Sequence, residues 1–164
     1  MTRRFKIIAI AAIGLLTVSC GVYTFSPSAL GGVKTAAIPL FDNKTSESGL
    51  SQSLTDKLSR AFVDNNTLRV VPEGRADAVL RGTIVSYKRE AYTYSQAEVV
   101  AEYIVRIAVD VGFYDKKNSK AIWEEKGMSN WGTYNSVSET EDYGKDRALD
   151  KLVEDILNKT VKGW

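Results

Sequence analysis

Hydrophobic and polar residues alternate most regularly between Val99 and Phe113. Every odd-numbered residue of this stretch is apolar, while the even positions include Glu102, Arg106 and Asp110. Strict period-two alternation over eight apolar positions predicts a long antiparallel strand with one buried face. The polar residues 115–120 then separate it from a second apolar stretch, residues 121–134, so we predict a hairpin.

Two other stretches repeat their apolar residues at helical spacing. The first, residues 47–64, places on one side Leu50, Leu54, Leu58, Ala61 and Phe62. The second follows Ser138 and carries Ala148, Leu149, Leu152, Val153, Ile156, Leu157 and Val161. Each pattern predicts a one-faced amphipathic helix. Because Glu141 follows Ser138 at capping-box spacing, we expect Ser138 to cap the second helix.

Three shorter apolar runs predict further strands at residues 33–41, 68–72 and 76–87. Neither side of the run 76–87 is cleanly polar, which is typical of a central strand. The predicted order is β-α-β-β-β-β-α. It indicates an α+β fold, a two-layer sandwich of two amphipathic helices packed on one face of a mixed four- to five-stranded sheet. The other sheet face is then left partly free.

The amino terminus has the pattern of an export signal. Three basic residues precede an apolar run from Ile7 to Leu16. Ten residues of helix measure about 15 Å, half of a hydrocarbon core of about 30 Å, so the run fits a signal peptide better than a membrane span. We therefore predict a signal peptide over residues 1–19, a tether over residues 20–32 and a single α+β domain over residues 33–164.

Cys20, at the end of this signal, is the chain's one cysteine. The sequence Leu16-Thr17-Val18-Ser19-Cys20 resembles the lipobox of bacterial lipoproteins. The resemblance implies cleavage between Ser19 and Cys20 and attachment of acyl chains to Cys20. Two or three acyl chains hold a protein on a bilayer almost permanently. Val22 occupies a position where aspartate would signal inner-membrane retention, so we expect the outer membrane.

The amino-acid composition excludes several kinds of functional site. The 164 residues include one cysteine and no histidine, which excludes a disulfide scaffold, a Cys/His zinc site and a histidine-based catalytic relay. The chain has 22 basic against 20 acidic residues. Removal of residues 1–19 takes away three basic residues and no acidic one, which leaves 19 against 20. A net charge of −1 gives no support to nucleic-acid binding.

No residues stand out as catalytic. The candidate carboxylates are placed in turns and on polar faces, where solvation alone explains them: Asp42, Asp56, Asp64, Glu124, Glu125 and Asp142. A glycine-rich phosphate loop is also missing. We therefore expect a protein that is not an enzyme, with no cofactor and no metal.

The segment from Tyr87 to Tyr94 contains more basic and aromatic side chains than a purely structural role requires. It interleaves cations with aromatic rings, and we select as candidate ligand contacts Lys88, Arg89, Tyr92 and Tyr94. Cations bind phosphate, and aromatic faces suit sugar rings. The alternative is an ordinary hairpin connection whose tyrosines cover a sheet edge. A second basic cluster, at Lys116, Lys117 and Lys120, we interpret as a solvated loop tip.

Several short patterns together resemble the lipopolysaccharide-assembly lipoprotein (LptE-like) family. They lie at residues 20–25, 38–45, 49–55, 68–71 and 76–82. The first β-α-β portion also resembles other envelope folds, namely the amino-terminal domain of the TolB type, curli-secretion lipoproteins and lipoprotein activators of cell-wall synthases.

The first resemblance implies an outer-membrane lipoprotein, anchored through Cys20 and facing the periplasm or lying inside a partner. That partner is the large β-barrel that inserts lipopolysaccharide. Such a protein plugs the barrel, assists lipopolysaccharide assembly and binds lipopolysaccharide. The second resemblance implies instead a lipid-anchored periplasmic activator or a secretion-pore subunit. Of the family's functional residues, only the lipidated cysteine transfers to a position here.

Overall fold

The computed structural model describes residue 30 and residues 32–162. Two helices occur in this part of the chain, α1 (Leu50–Asn65) and α2 (Glu141–Lys162). The strands are β1 (Thr35–Ala37), β2 (Asp42–Asn43), β3 (Arg69–Val70), β4 (Ala78–Tyr94), β5 (Val100–Asp115) and β6 (Lys120–Asn135). A 3₁₀ turn, Glu73–Arg75, precedes β4. The predicted signal peptide and Cys20 lie outside the described residues, as does most of the predicted tether.

The strands form one mixed sheet in the order β3-β1-β4-β5-β6. Strand β1 is parallel to both β3 and β4, and α1 makes the crossover that a parallel pair requires. From β4 to β6 the sheet is an antiparallel meander. The two-residue strand β2 lies beyond β1 on the same side of β4 and is parallel to it.

Both helices pack on one face of this sheet and share one core. The buried stripe of α1 consists of Leu50, Leu54, Leu58 and Phe62, and that of α2 of Ala148, Leu149, Leu152, Val153 and Ile156. They pack against sheet residues that include Leu80, Val105, Ile107, Val109 and Phe113. Full burial of such an apolar side chain contributes about 1.5–3 kcal/mol. The predicted α+β two-layer sandwich is confirmed.

A β-bulge between Ile84 and Ser86 changes which residues of β4 face the helices. Before the bulge, even-numbered residues such as Ile84 are in the core. After it, Tyr87 pairs with Ile107 and Arg89 with Val105, both of which are core residues. Odd positions therefore face the helices in the second half of β4. We call the opposite side of the sheet the open face.

The two long edges of the sheet differ. Along the outer edge of β6, side chains of α2 occupy backbone acceptors. Lys151 Nζ donates to the carbonyl oxygen of Trp131 at 2.9 Å, and Arg147 Nη1 donates to that of Thr133 at 2.6 Å. On the outer side of β4, the described residues provide no strand partner beyond Ile84.

Two local expectations differ from the structure. Strand β4 continues to Tyr94 rather than ending at Tyr87, because β5 supplies a partner along almost its whole length. The predicted capping box is wrong, since α2 begins at Glu141. The Ser138 N–H donates instead to Asn135 Oδ1 at 3.0 Å. The Glu139 carboxylate accepts the Asn135 N–H at 2.8 Å, which holds this turn outside the helix.

Candidate functional site

An aromatic and basic surface lies on the open face, in the half of the sheet formed by the ends of β4 and β6 and the start of β5. We call it the open-face patch and define it by Lys88, Tyr92, Arg106 and Trp131. The pairing register places Lys88 directly opposite Arg106. Arg106 is in turn opposite Trp131 on β6. The three side chains therefore form one row across the sheet.

The aromatic part of the patch is preorganised. The Tyr92 and Trp131 ring centroids are 6.4 Å apart at an interplanar angle of 34°, within the range of favourable aromatic pairs. Lys151 Nζ lies 3.8 Å from the centroid of the Trp131 ring. Despite this pairing, Tyr92 remains 51% and Trp131 39% exposed. Large aromatic side chains that are half-exposed and fixed in place are suited to contact a ligand.

The basic part of the patch is a like-charge pair. Cations directly opposite each other across two strands destabilise a sheet unless a negative charge joins them. Neither Lys88 nor Arg106 forms an ion pair within residues 32–162. Glu90 and Glu102 lie on the same face, and Glu102 accepts a hydrogen bond from Thr93 at 3.1 Å. Lys88 and Arg106 are therefore two cations with no carboxylate within ion-pair distance among the described residues.

Arg89 lies on the helix side of the sheet. Its guanidinium carbon is 3.8 Å from the centroid of the Tyr103 ring, its Nε donates to Tyr134 Oη, and Nε is 3.2 Å from Glu141 Oε2. Tyr103 and Tyr134 are stacked with centroids 5.4 Å apart. This cluster ties the hairpin to the first turn of α2, so Arg89 has intramolecular partners that Lys88 lacks.

Tyr87 joins the same cluster. Its hydroxyl donates to Glu141 Oε1. Burial, followed by the hydrogen bond and the negative charge of Glu141, raises the pKa of the Tyr87 phenol far above its usual range. Tyr87 is therefore a neutral hydrogen-bond donor at any physiological pH, and it fixes the Glu141 carboxylate that pairs with Arg89.

A shallow groove of about 220 Å³ is lined by three of the sequence's candidate carboxylates, Asp42, Glu124 and Glu125. Glu124 accepts a hydrogen bond from Tyr114, which raises the pKa of that phenol. Glu125 is paired with Lys159, and Asp42 is exposed. Two of the three carboxylates are thus already partnered. The described part of the chain contains no group of three or more acidic or cysteine side chains placed to bind a metal ion.

The structure brings together some of the predicted site residues and separates others. Lys88 and Tyr92 belong to the open-face patch, whereas Arg89 is on the helix side and Tyr94, 64% exposed, lies at the hairpin tip. Sequence reasoning missed Arg106 and Trp131. Arg106 has a visible signal, as a polar residue on the face opposite the apolar one, but its contact with Trp131 depends on the hairpin register. Ser19 and Cys20 lie outside the described residues.

Comparison with known families gives one match over most of the chain. The sequence model of the lipopolysaccharide-assembly (LptE) family matches residues 33–160. None of the functionally curated proteins matches the chain. Neither helix within residues 32–162 is both long and apolar enough to cross a bilayer.

Solved structures with low sequence identity share the fold. The hypothetical protein CT253 from Chlamydia trachomatis is 14% identical with a TM-score of 0.55, and the match covers 77% of this chain and 94% of that one. Protein XCC0632 from Xanthomonas campestris is 13% identical with a TM-score of 0.52, covering 77% and 83%. A minor lipoprotein from Acinetobacter baumannii is 16% identical with a TM-score of 0.50, covering 78% and 91%.

Proposed function

The chain belongs to the lipopolysaccharide-assembly (LptE) family, and from this premise we propose that it is a lipid-anchored outer-membrane lipoprotein that partners the β-barrel inserting lipopolysaccharide. In this role it is not a catalyst. It is held on the bilayer through Cys20, it occupies or supports the barrel, and it contacts lipopolysaccharide during assembly at the outer membrane.

The observation that carries lipopolysaccharide contact is the open-face patch. Lipopolysaccharide presents phosphate groups next to sugar rings. Lys88 and Arg106 supply two cations that have no ion-pair partner within residues 32–162, so both are available to pair with phosphate groups. Tyr92 and Trp131 supply half-exposed aromatic faces beside those cations, which suits the apolar faces of sugars. Charge and aromatic area therefore match the two chemical features of the ligand.

Arg89 and Tyr94 remain predicted lipopolysaccharide contacts, but they would contact the ligand in different ways. Arg89 is 3.8 Å from the Tyr103 ring and paired with Glu141, so binding through it requires an exchange of partners. Tyr94 at the exposed hairpin tip is free to extend the aromatic surface beyond Tyr92.

A binding assay with purified lipopolysaccharide tests this site. We expect the double variant Lys88→Gln/Arg106→Gln to bind about tenfold more weakly, because two charge-assisted contacts of about 1.5 kcal/mol each are lost and solvent exposure reduces their value. The matched control is Lys44→Gln/Arg60→Gln, which removes one lysine and one arginine at exposed positions outside the patch. Equal affinity of the two double variants would overturn the assignment of the patch.

Affinity purification of the full chain from solubilised outer membranes tests the partner. Recovery of a large β-barrel supports the proposal. The alternative role, a lipid-anchored activator or a secretion-pore subunit, predicts instead the recovery of peptidoglycan synthases or self-association into a ring.

A further inference from the structure

One end of the sheet lies next to the segment that leads back to Cys20. We call it the tether end and define it by Lys34, Asp77 and the β5–β6 turn, residues 115–120. The Lys116 N–H donates to the Asp77 carbonyl oxygen at 2.9 Å, and the Lys34 N–H donates to Asp77 Oδ2 at 3.0 Å. Gly32 and Lys117 line the same depression. The β5–β6 turn therefore flanks the point at which the tether joins the domain.

The geometry of the chain orients the domain relative to its anchor. Gly32 is the twelfth residue after Cys20, and twelve residues span at most about 40 Å when fully extended. Strand β4 has 17 residues and begins at the tether end. It spans about 55 Å, so the hairpin tip cannot reach the anchoring point. Of the two ends of the sheet, the tether end is therefore the one that lies closer along the chain to a lipid on Cys20.

The tether end carries an excess of exposed cations. Lys34, Lys116, Lys117 and Lys120 are all exposed, and none forms an ion pair with a residue that the structure describes. Lys116 Nζ donates to the backbone carbonyl of Glu73. The Glu73 carboxylate is itself paired with Arg81.

Both carboxylates at this end accept hydrogen bonds from neighbouring backbone and side-chain donors. Asp77 Oδ2 accepts hydrogen bonds from the Thr35 hydroxyl at 2.8 Å and from the Thr35 N–H at 2.9 Å, which lower the pKa of Asp77. Asp115 accepts the Lys117 N–H at 2.7 Å and two donors of Asn118 at 3.0 and 2.7 Å. The carboxylates therefore hold the loops in place, while the four exposed lysines have no ion-pair partner among the described residues.

We propose that the tether end is a bilayer-contact surface, on which Lys34, Lys116, Lys117 and Lys120 bind the headgroup phosphates of an anionic phospholipid leaflet. The inference rests on the lipid-anchor part of the proposed function and is independent of the barrel and of lipopolysaccharide. A lysine within a Debye length of about 8 Å of an anionic surface changes membrane partitioning about fivefold. Four such lysines fix the orientation of a domain that the lipid has already brought to the surface.

Amine labelling of the full-length lipoprotein reconstituted in vesicles tests the proposal. One preparation uses phosphatidylcholine alone, and the other includes about one-third phosphatidylglycerol. A water-soluble acetylating reagent is added, and labelling at each lysine is read by mass spectrometry. We expect labelling of Lys117 and Lys120 to be about fivefold slower on the anionic vesicles. The difference should vanish between about 0.1 M and 1 M salt, as the Debye length falls from about 10 to 3 Å.

Lys44 and Lys126 provide an internal control, because both are exposed and lie away from the tether end. Their labelling should be equal on the two vesicles. In the variant Lys117→Gln/Lys120→Gln, the difference at Lys34 and Lys116 should shrink, whereas Lys44→Gln/Lys126→Gln should leave it unchanged.

The outcomes separate this inference from the proposed function. Protein that floats with the vesicles but is labelled equally on both overturns the bilayer-contact surface and leaves the anchor intact. Protein that fails to float with either vesicle contradicts lipidation at Cys20, and with it both proposals. If the lysines are equally protected from labelling on vesicles made of phosphatidylcholine alone, the surface contacts the bilayer without recognising its charge. That result also overturns the inference.

Discussion

Gly132 lies where α2 and the sheet approach each other most closely. Substitution of Gly132 by alanine should therefore destabilise the protein more than an ordinary glycine-to-alanine change does. A Cβ at this position would lie 2.3 Å from the Gly144 carbonyl oxygen, 2.6 Å from Arg147 Cβ and 2.9 Å from the Ala148 nitrogen. Two of these atoms belong to the helix backbone and cannot rotate away. Ordinary contact begins at 3.4 Å, so α2 or β6 must move by about 1 Å.

The cost of such overpacking is about 1–3 kcal/mol. For a domain of this size, each kcal/mol lowers Tm by about 4 °C. The movement also affects the outer edge of β6, because Lys151 and Arg147 project from this part of α2 to the carbonyls of Trp131 and Thr133. We therefore expect Gly132→Ala to raise hydrogen exchange at the start of α2 as well as to lower global stability.

Urea unfolding followed by circular dichroism measures this effect, with two comparison variants. Gly144→Ala places its Cβ 2.8 Å from Tyr134 Cδ1, an atom of a side chain that can adjust, and gains up to about 1 kcal/mol of helix propensity. Its net cost should be smaller. Gly74→Ala has nothing within 4 Å and should change stability by less than about 0.5 kcal/mol. If Gly132→Ala unfolds at the same urea concentration as Gly74→Ala, the close-approach argument is refuted.

Two further outcomes are expected. Burial and Glu141 raise the pKa of Tyr87 in the folded state, so the stabilisation that Tyr87 contributes is full below the ordinary phenol pKa of about 10 and is lost as the pH rises above it. Tyr87→Phe should therefore lose less stability than wild type between about pH 9 and 11. Parallel profiles of urea midpoint against pH for the two proteins would contradict this. Cys20→Ala should abolish incorporation of labelled palmitate and leave the signal uncleaved on a denaturing gel, whereas unchanged labelling would show that the lipobox interpretation is mistaken.

The sequence predicted those parts of the fold that depend on one dominant period. Every odd-numbered residue between 99 and 113 is apolar. In the structure the odd-numbered core residues of β5, such as Val105 and Val109, face the helices. The stripes of α1 and α2 are likewise buried where helical spacing predicted. In these segments the burial pattern follows the local sequence, because a single buried face decides the register.

The sequence could not predict features that depend on contacts between distant segments. The end of β4 is mostly exposed and polar, so it has no hydrophobic alternation to mark it as a strand. Its extension comes from pairing with β5, and the bulge at Ile84 then inverts which residues face the helices. The bulge therefore decides that Lys88 lies on the open face and Arg89 on the helix side.

For the same reason, the sequence identified only part of the candidate site. Lys88 and Tyr92 were identified because they cluster in sequence, whereas Arg106 and Trp131 reach the patch through two pairing registers. The failed capping box at Ser138 is similar. A local motif competed with a turn in which Asn135 and Glu139 satisfy each other's hydrogen bonds, and Arg147 from α2 reinforces that turn at 2.9 Å.

The covered edge of β6 limits how copies of this chain can associate. Strand-to-strand pairing propagates into a fibre only when a subunit offers two free edges, one for each neighbour. Here Lys151 and Arg147 occupy carbonyls along the outer edge of β6, while the outer edge of β4 beyond Ile84 has no partner among the described strands. Pairing of two copies through the β4 edge would consume that edge in both copies. Two side chains of one helix thereby withdraw the carbonyls of Trp131 and Thr133 from strand pairing between copies.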